Sequence, residues 1–228
     1  VGKIIRVISY IVIAFSFVLL VLAVLADNFP EKLGGKPVTI IEGNAFYQKY
    51  VLASVTLPSS LTEIQSSAFG YCYSLENVEF AGKNLKAIGS YAFTNCVMLH
   101  TISIPESVVA INSYAFYRCS NLESIVIPEG VEYMDQYAFG YCNELKEVSL
   151  PKSLKAIGTY TFCYCYTLEK VNFSEGLLSI GNYAFHGCSR LTSISLPDGI
   201  SSIGDRAFSK CENLKSINIP NGITSIGH

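Results

Sequence analysis

Cysteine stands at positions 72, 96, 119, 142, 165, 188 and 211, each time three residues after a phenylalanine. Such a column in an exported chain is the raw material of a disulfide or metal ladder. If the units stack as parallel strands do, neighbouring Cα atoms lie about 4.8 Å apart and parallel side chains keep their Cβ atoms at that same distance, whereas bonded cystines bring Cβ atoms to about 3.8 Å. The spacing therefore favours buried thiols acting as small hydrophobes. The eighth, Cys163, forms a Cys-x-Cys with Cys165. A metal or redox role there requires both side chains to point outward, and no histidine stands nearby.

Other catalytic chemistry finds no footing. His100, His186 and His228 occupy unrelated positions, read as exposed polar residues and build no triad. The many serines sit in no nucleophile-elbow or S-x-x-K context, and there is no glycine-rich phosphate loop or paired-carboxylate constellation. No catalytic, cofactor or metal-ligating residue is assigned, and the chain reads as a non-enzyme.

What positions the cysteines is a repeat. Phenylalanine recurs at 46, 69, 93, 116, 139, 162, 185 and 208, spaced by 23 residues except for one interval of 24, and leucine keeps the same step from Leu52 to Leu214. One unit, from Leu191, reads LTSISLPDGISSIGDRAFSKCEN. Its first part alternates apolar and polar residues and ends at proline, the pattern of a short strand bounded by a turn. Glycines at 130, 176, 199 and 222 are expected at the corner that follows, where a residue without Cβ takes positive φ. A second inward pair, such as Ile200 and Ile203, precedes the Ala-Phe and Cys of a third side. A lone unit cannot bury these faces, so the copies must stack into a solenoid of about eight coils with parallel strands and little regular helix. The long interval contains Phe80-Ala81-Gly82-Lys83-Asn84-Leu85, lacks the usual proline, and predicts a bulged corner.

The pattern L-x-x-I-x-I-P-x-G-V-x-x-I-G-x-x-A-F-x-x-C is similar to that of the BspA-like class of leucine-rich repeats, from Val38 to the end of the chain. Lys49 in place of the first Cys and Thr161 in place of Ala depart from it, the first as a capping rung would. The resemblance implies a leucine-rich-repeat solenoid of a family made up largely of bacterial and protistan surface proteins, some of them adhesins for host matrix proteins or other cells.

Val7 to Ala26 form 20 uncharged, mostly apolar residues after Lys3 and Arg6. The length suits a membrane-spanning helix, while Val24-Leu25-Ala26 suits signal cleavage before Asp27. Residues 1–26 are thus expected to be a signal anchor or signal peptide, 27–37 a linker and 38–228 the repeats, with the following chain outside the membrane in both cases. Val1 is not an initiator Met and the ninth unit is entered but stops at His228, so the chain reads as a fragment with a capping segment expected beyond. Without Lys3 and Arg6 the remainder holds 14 basic against 18 acidic side chains, near −4, which argues against nucleic acid and leaves residues 7–26 as the membrane contact.

Two surfaces remain for a partner. Exposed strand positions, among them Ser124, Ser149, Asn172 and Ser195, make a polar, nearly uncharged sheet face. Tyr91, Tyr114, Tyr137, Tyr160 and Tyr183 each precede the Ala/Thr-Phe pair in five consecutive units. Tyrosine offers rigid area plus a hydroxyl; the same rings would also serve by stacking and shielding the Phe column. The leading expectation is a surface module that binds an extracellular protein or glycan, and its rival is a spacer projecting a further C-terminal domain.

Overall fold

The computed structural model describes residues 29–228; the expected N-terminal hydrophobic helix falls outside the described residues. The repeat winds into a three-sided parallel coil, and among the described residues there is no helix. On the first side lie the strands the alternation predicts: Ser54–Leu57, Asn77–Phe80, Thr101–Ser103, Ser124–Val126, Glu147–Ser149, Lys170–Asn172, Ser193–Ser195 and Ser216–Asn218. Most pair in parallel one repeat onward, as Ile125 with Val148 and Val148 with Val171. Their inward residues, such as Ile102, Ile125, Val148 and Ile194, are buried.

This ladder is interrupted twice, after Asn77–Phe80 and after Lys170–Asn172. These are the two rungs in which phenylalanine, Phe80 or Phe173, takes the last inward position and proline is missing after it, replaced by Ala81 or Ser174. Both rings are only partly buried, packed against the core from its rim. A ring too large for a Leu or Ile site, without proline to fix the strand exit, accounts for the slip. Strands still pack against each other across each break.

The second side, which the sequence shows only as an inward apolar pair, carries the most continuous sheet. Nine two-residue strands, from Ile40–Ile41 through Ala110–Ile111 and Ala156–Ile157 to Ser225–Ile226, pair in parallel without a break. Ile64, Ile88, Ile111, Met134, Ile157 and Ile180 line up inward and are buried.

The corner glycines work differently from expectation. Positive φ among the described glycines occurs at Gly34, Gly35 and Gly187 alone, none of them corner positions. A Cβ on Gly176 would instead stand 2.0 Å from the Lys152 carbonyl oxygen, and one on Gly82, in the predicted bulged corner, 2.0 Å from that of Ser59. These corners need glycine because successive rungs touch there, not because of φ.

Positive φ belongs to the third side, a turn in which the residues two before and two after each Phe take φ of 52–61°, or 76° at Gly187. Tyr91, Tyr114, Tyr137, Tyr160 and Tyr183 are all in this conformation. In this turn every second N–H points along the coil axis. Tyr114, Phe116 and Arg118 donate to Gln136, Ala138 and Gly140 of the next rung, while Ala115 and Tyr117 donate within their own. Each left-handed residue costs about 1–2 kcal/mol, and the inter-rung bond it creates returns about 0.5–1.5.

The phenylalanines of this side form one buried stack from Phe46 to Phe208, with neighbouring centroids 5.1–5.5 Å apart. Residues 29–37 pack against the first rungs. Lys32–Leu33 and Lys36–Pro37 make an antiparallel hairpin around Gly34-Gly35. Phe29 closes the stack edge-on to Phe46 at 5.2 Å, and the Glu31 carboxylate accepts from the Ser59 N–H and hydroxyl. Apolar contact and two charge-assisted hydrogen bonds hold down a segment whose sequence shows no repeat signature.

Candidate interaction surface

The cysteine column is part of the core. All eight thiols are free and buried. Each column thiol donates to the phenylalanine carbonyl of the preceding rung, from Cys72 to Phe46 at 3.1 Å through Cys211 to Phe185 at 3.2 Å. That bond explains the residue type: a small apolar side chain with a weak donor fits between stacked turns. It also explains Lys49, since no rung precedes the first among the described residues. Burial pushes the thiols up, Cys72 to about 11 and Cys119 to about 12, so thiolate chemistry is suppressed. Cys163 and Cys165 are both buried, which removes the outward geometry a metal or redox role requires. Among the described residues no group of three His, Cys, Asp or Glu side chains is placed to hold a metal ion. At Thr161 the hydroxyl is satisfied by the Gly158 and Asp135 carbonyls.

The five tyrosines form one ladder. Tyr91, Tyr114, Tyr137, Tyr160 and Tyr183 stack with centroid steps of 4.6, 4.7, 4.5 and 4.6 Å and ring planes within 11°. They are partly exposed, Tyr91 by 41%. Each contact contributes about 0.5–1.5 kcal/mol beyond area burial, enough to keep a bulky residue where glycine or asparagine would be easier. Burial, reinforced by neighbouring phenols and Cys163, raises the hydroxyls of Tyr114 and Tyr137 above the ordinary phenol range, so they remain neutral.

A second aromatic row, which the sequence reading missed, flanks the ladder. Tyr117 stands edge-on to Tyr114 and Tyr137 at 5.3 and 5.8 Å, and to Tyr141 at 5.4 Å; Tyr141 continues to Tyr164 at 4.7 Å. The Arg118 guanidinium lies 5.4 Å from the centroids of both Tyr117 and Tyr141. Tyr117 sits one residue after its Phe but Tyr141 and Tyr164 two after, so no single column marks the row. The signal was composition: of fourteen described tyrosines, every one except Tyr133 falls in the turns of the third side or those just after them.

His186 closes this row and is buried, not exposed as its sequence position suggested. Ser209 Oγ donates to the Arg206 carbonyl at 2.9 Å, so His186 Nδ1–H donates to Ser209 at 2.5 Å and Nε2 accepts from the Tyr164 hydroxyl at 3.0 Å. Burial, then the positive Lys210 and Arg206, lowers the imidazole from its usual 6.5.

Ser124, Ser149, Asn172 and Ser195 lie on the first side, away from the tyrosine turns in the repeat. Ser124 shares a row with Thr101, Glu147 and Lys170; Ser149 and Asn172 share the other with Val126, which is 74% exposed, and Ser195 lies beyond the break, paired with Asn218. The Asn172 amide donates to Glu147 at 2.7 Å and to Ser149 at 2.9 Å, and Lys170 pairs with Glu147 at 2.8 Å. These groups satisfy one another across rungs, and the ion pair, being exposed and solvent-screened, adds little.

The sequence profile of the BspA type leucine rich repeat region matches residues 39–169 and 155–228, in six copies. The chain belongs to this family. A leucine rich repeat protein of T. pallidum is similar in structure at a TM-score of 0.67 and 28% identity, over 82% of this chain and 77% of that one. A leucine rich cell surface protein of Faecalibacterium prausnitzii A2-165 is 27% identical over 85% of this chain and 71% of its own, with a TM-score of 0.45. A leucine-rich repeat protein from Eubacterium ventriosum shares the fold at 20% identity and a TM-score of 0.51, over 85% and 64%. No curated protein matches the chain. In this BspA-type solenoid the repeat accounts for the core columns; the tyrosine face is an addition to it, since rung eight carries Arg206 and the second rung Ser67 at the ladder position.

Proposed function

We propose that this chain is a cell-surface binding or adhesion module that recognises an extracellular protein or glycan, and that the tyrosine-bearing third side is its main contact. The observation that carries this is the gathering of nearly all described tyrosines onto one side, five of them in a stacked, partly exposed ladder. Serine, glycine, threonine and asparagine fill the positions between them. That mixture of rigid amphipathic rings and small adaptable polar groups is the composition of binding surfaces, where tyrosine supplies area at low conformational cost. The first-side polar face, where Glu147, Ser149, Lys170 and Asn172 already pair with one another, is the supporting surface. Residues 7–26, with Lys3 and Arg6 before them, support export and surface display.

The test is surface-capture binding of the full chain to a panel of extracellular matrix proteins and surface glycans. Replacing Tyr114, Tyr137 and Tyr160 together by Ser is expected to weaken capture far more than replacing Ser124, Ser149 and Asn172 by Ala, because buried aromatic anchors dominate interfaces. Circular dichroism must show both variants folded. Unchanged capture by the folded tyrosine variant overturns the assignment of the third side.

A further inference from the structure

Resting on the reading of the third side as a binding surface, we infer that its ligand is a proline-rich segment in the polyproline II conformation. The first argument is periodicity. Two successive ladder steps advance about 9.1–9.3 Å, and a polyproline II helix repeats every three residues at about 3.1 Å each, or about 9.3 Å. The whole ladder, four steps, spans about 18.4 Å, and six polyproline II residues span about 18.6 Å. Other linear ligands fall out of phase. Side chains on one face of a β-strand repeat at about 6.7 Å, and an α-helix, with its pitch of about 5.4 Å, drifts about 3 Å over the same four steps.

The second argument is donor–acceptor complementarity. Among the described residues the hydroxyls of Tyr91, Tyr114 and Tyr137 have no hydrogen-bond partner, which leaves three donors for a ligand, Tyr91 on an exposed ring and Tyr114 and Tyr137 on half-buried ones. A polyproline II backbone makes no internal hydrogen bonds, and its prolines have no N–H, so it presents a row of unpaired carbonyls to match. A cross-β stack also repeats near 4.8 Å, but its backbone groups are already paired with one another.

The third argument is shape. Tyr117 lies over Gly140, where an added Cβ would come 3.2 Å from the ring, and Tyr164 over Gly187, where it would come 2.7 Å away. These glycines let the second row lie against the backbone beside the ladder. Aromatic surfaces with hydroxyl donors are the general means by which proline-rich segments are held. In the five ladder turns, residues 90–98, 113–120, 136–144, 159–167 and 182–190, the charged residues are Arg118, Glu144 and Arg190, with Arg206 of the next rung over Tyr183; the middle of the ladder is thus sparsely charged, which suits an uncharged ligand.

The test titrates the full chain, in detergent micelles, into a fluorescein-labelled nine-residue oligoproline and reads anisotropy, with a Gly/Ser peptide of equal length as control. Saturable binding of oligoproline and none of the control is expected. Replacing Tyr91, Tyr114 and Tyr137 together by Phe keeps the stack and removes the three unpartnered donors, and should weaken binding at least tenfold with an unchanged circular dichroism spectrum. Ser124→Ala with Ser149→Ala should leave it within twofold. No oligoproline binding by the wild-type chain, or equal binding by the folded Phe variant, overturns the inference. Tyrosine-dependent capture of a folded protein, a glycan or a cross-β fibril without oligoproline binding overturns it while leaving the proposed function standing; absence of any tyrosine-dependent ligand overturns both.

Discussion

Phe139→Ala tests whether the ring column is the structural axis of the coil. Phe139 is fully buried and stacks on Phe116 at 5.2 Å and Phe162 at 5.5 Å. Removing such a ring costs about 3–5 kcal/mol in lost transfer energy and residual cavity. The rungs above and below cannot collapse into the gap, because their turns are tied by hydrogen bonds from Phe116 to Ala138 and from Phe139 to Thr161, which favours the upper part of that range. For a chain of this size about 1 kcal/mol moves the thermal midpoint by about 2–4 °C, so the expected drop is about 6–20 °C. Phe208, partly exposed and stacked on Phe185 alone, should lose about half as much, since stability in a coil is a sum of nearest-neighbour terms. Ser149→Ala, on the exposed first side, should change the midpoint by less than about 2 °C. Differential scanning calorimetry reads all three. Equal losses for Phe139→Ala and Phe208→Ala would refute the nearest-neighbour argument, and a loss below about 1 kcal/mol at Phe139 would refute the core assignment.

The buried, protonated thiols should resist a disulfide exchange reagent at pH 8 in the native chain, and all eight should react once urea unfolds it; rapid native labelling of the column would contradict its burial. The His186 imidazole, depressed below 6.5 by burial and two nearby cations, should titrate below that value by NMR. Because the folded value is the lower one, the stability it contributes is fully present above pH 6.5 and is lost as the pH falls through that value toward the folded one. A native midpoint at or above 6.5 would show the Tyr164–His186–Ser209 arrangement to be wrong.

Much of this protein is legible in one dimension because a solenoid buries its residues in columns. The period of 23, the inward Leu, Ile and Phe positions, the first-side strands and the buried Cys column follow from residue type and spacing, since every rung must repeat the choice its neighbour makes. The corner glycines show the limit of that reading. Their place was evident, but whether glycine serves φ or close approach depends on how far apart the rungs lie, and at Gly82 and Gly176 it is contact between rungs that demands it. Only the three-dimensional coil decided that the positions two before and two after each Phe, many of them tyrosines, and not the corner glycines, take the left-handed conformation, because the inter-rung hydrogen bonds that offset its cost do not exist until the rungs stack. It likewise decided that His186 is buried, that residues 29–37 pack against the first rungs, and that Tyr117, Tyr141 and Tyr164 join the ladder. Those contacts join positions that share no column, and a periodic pattern cannot encode what is not periodic.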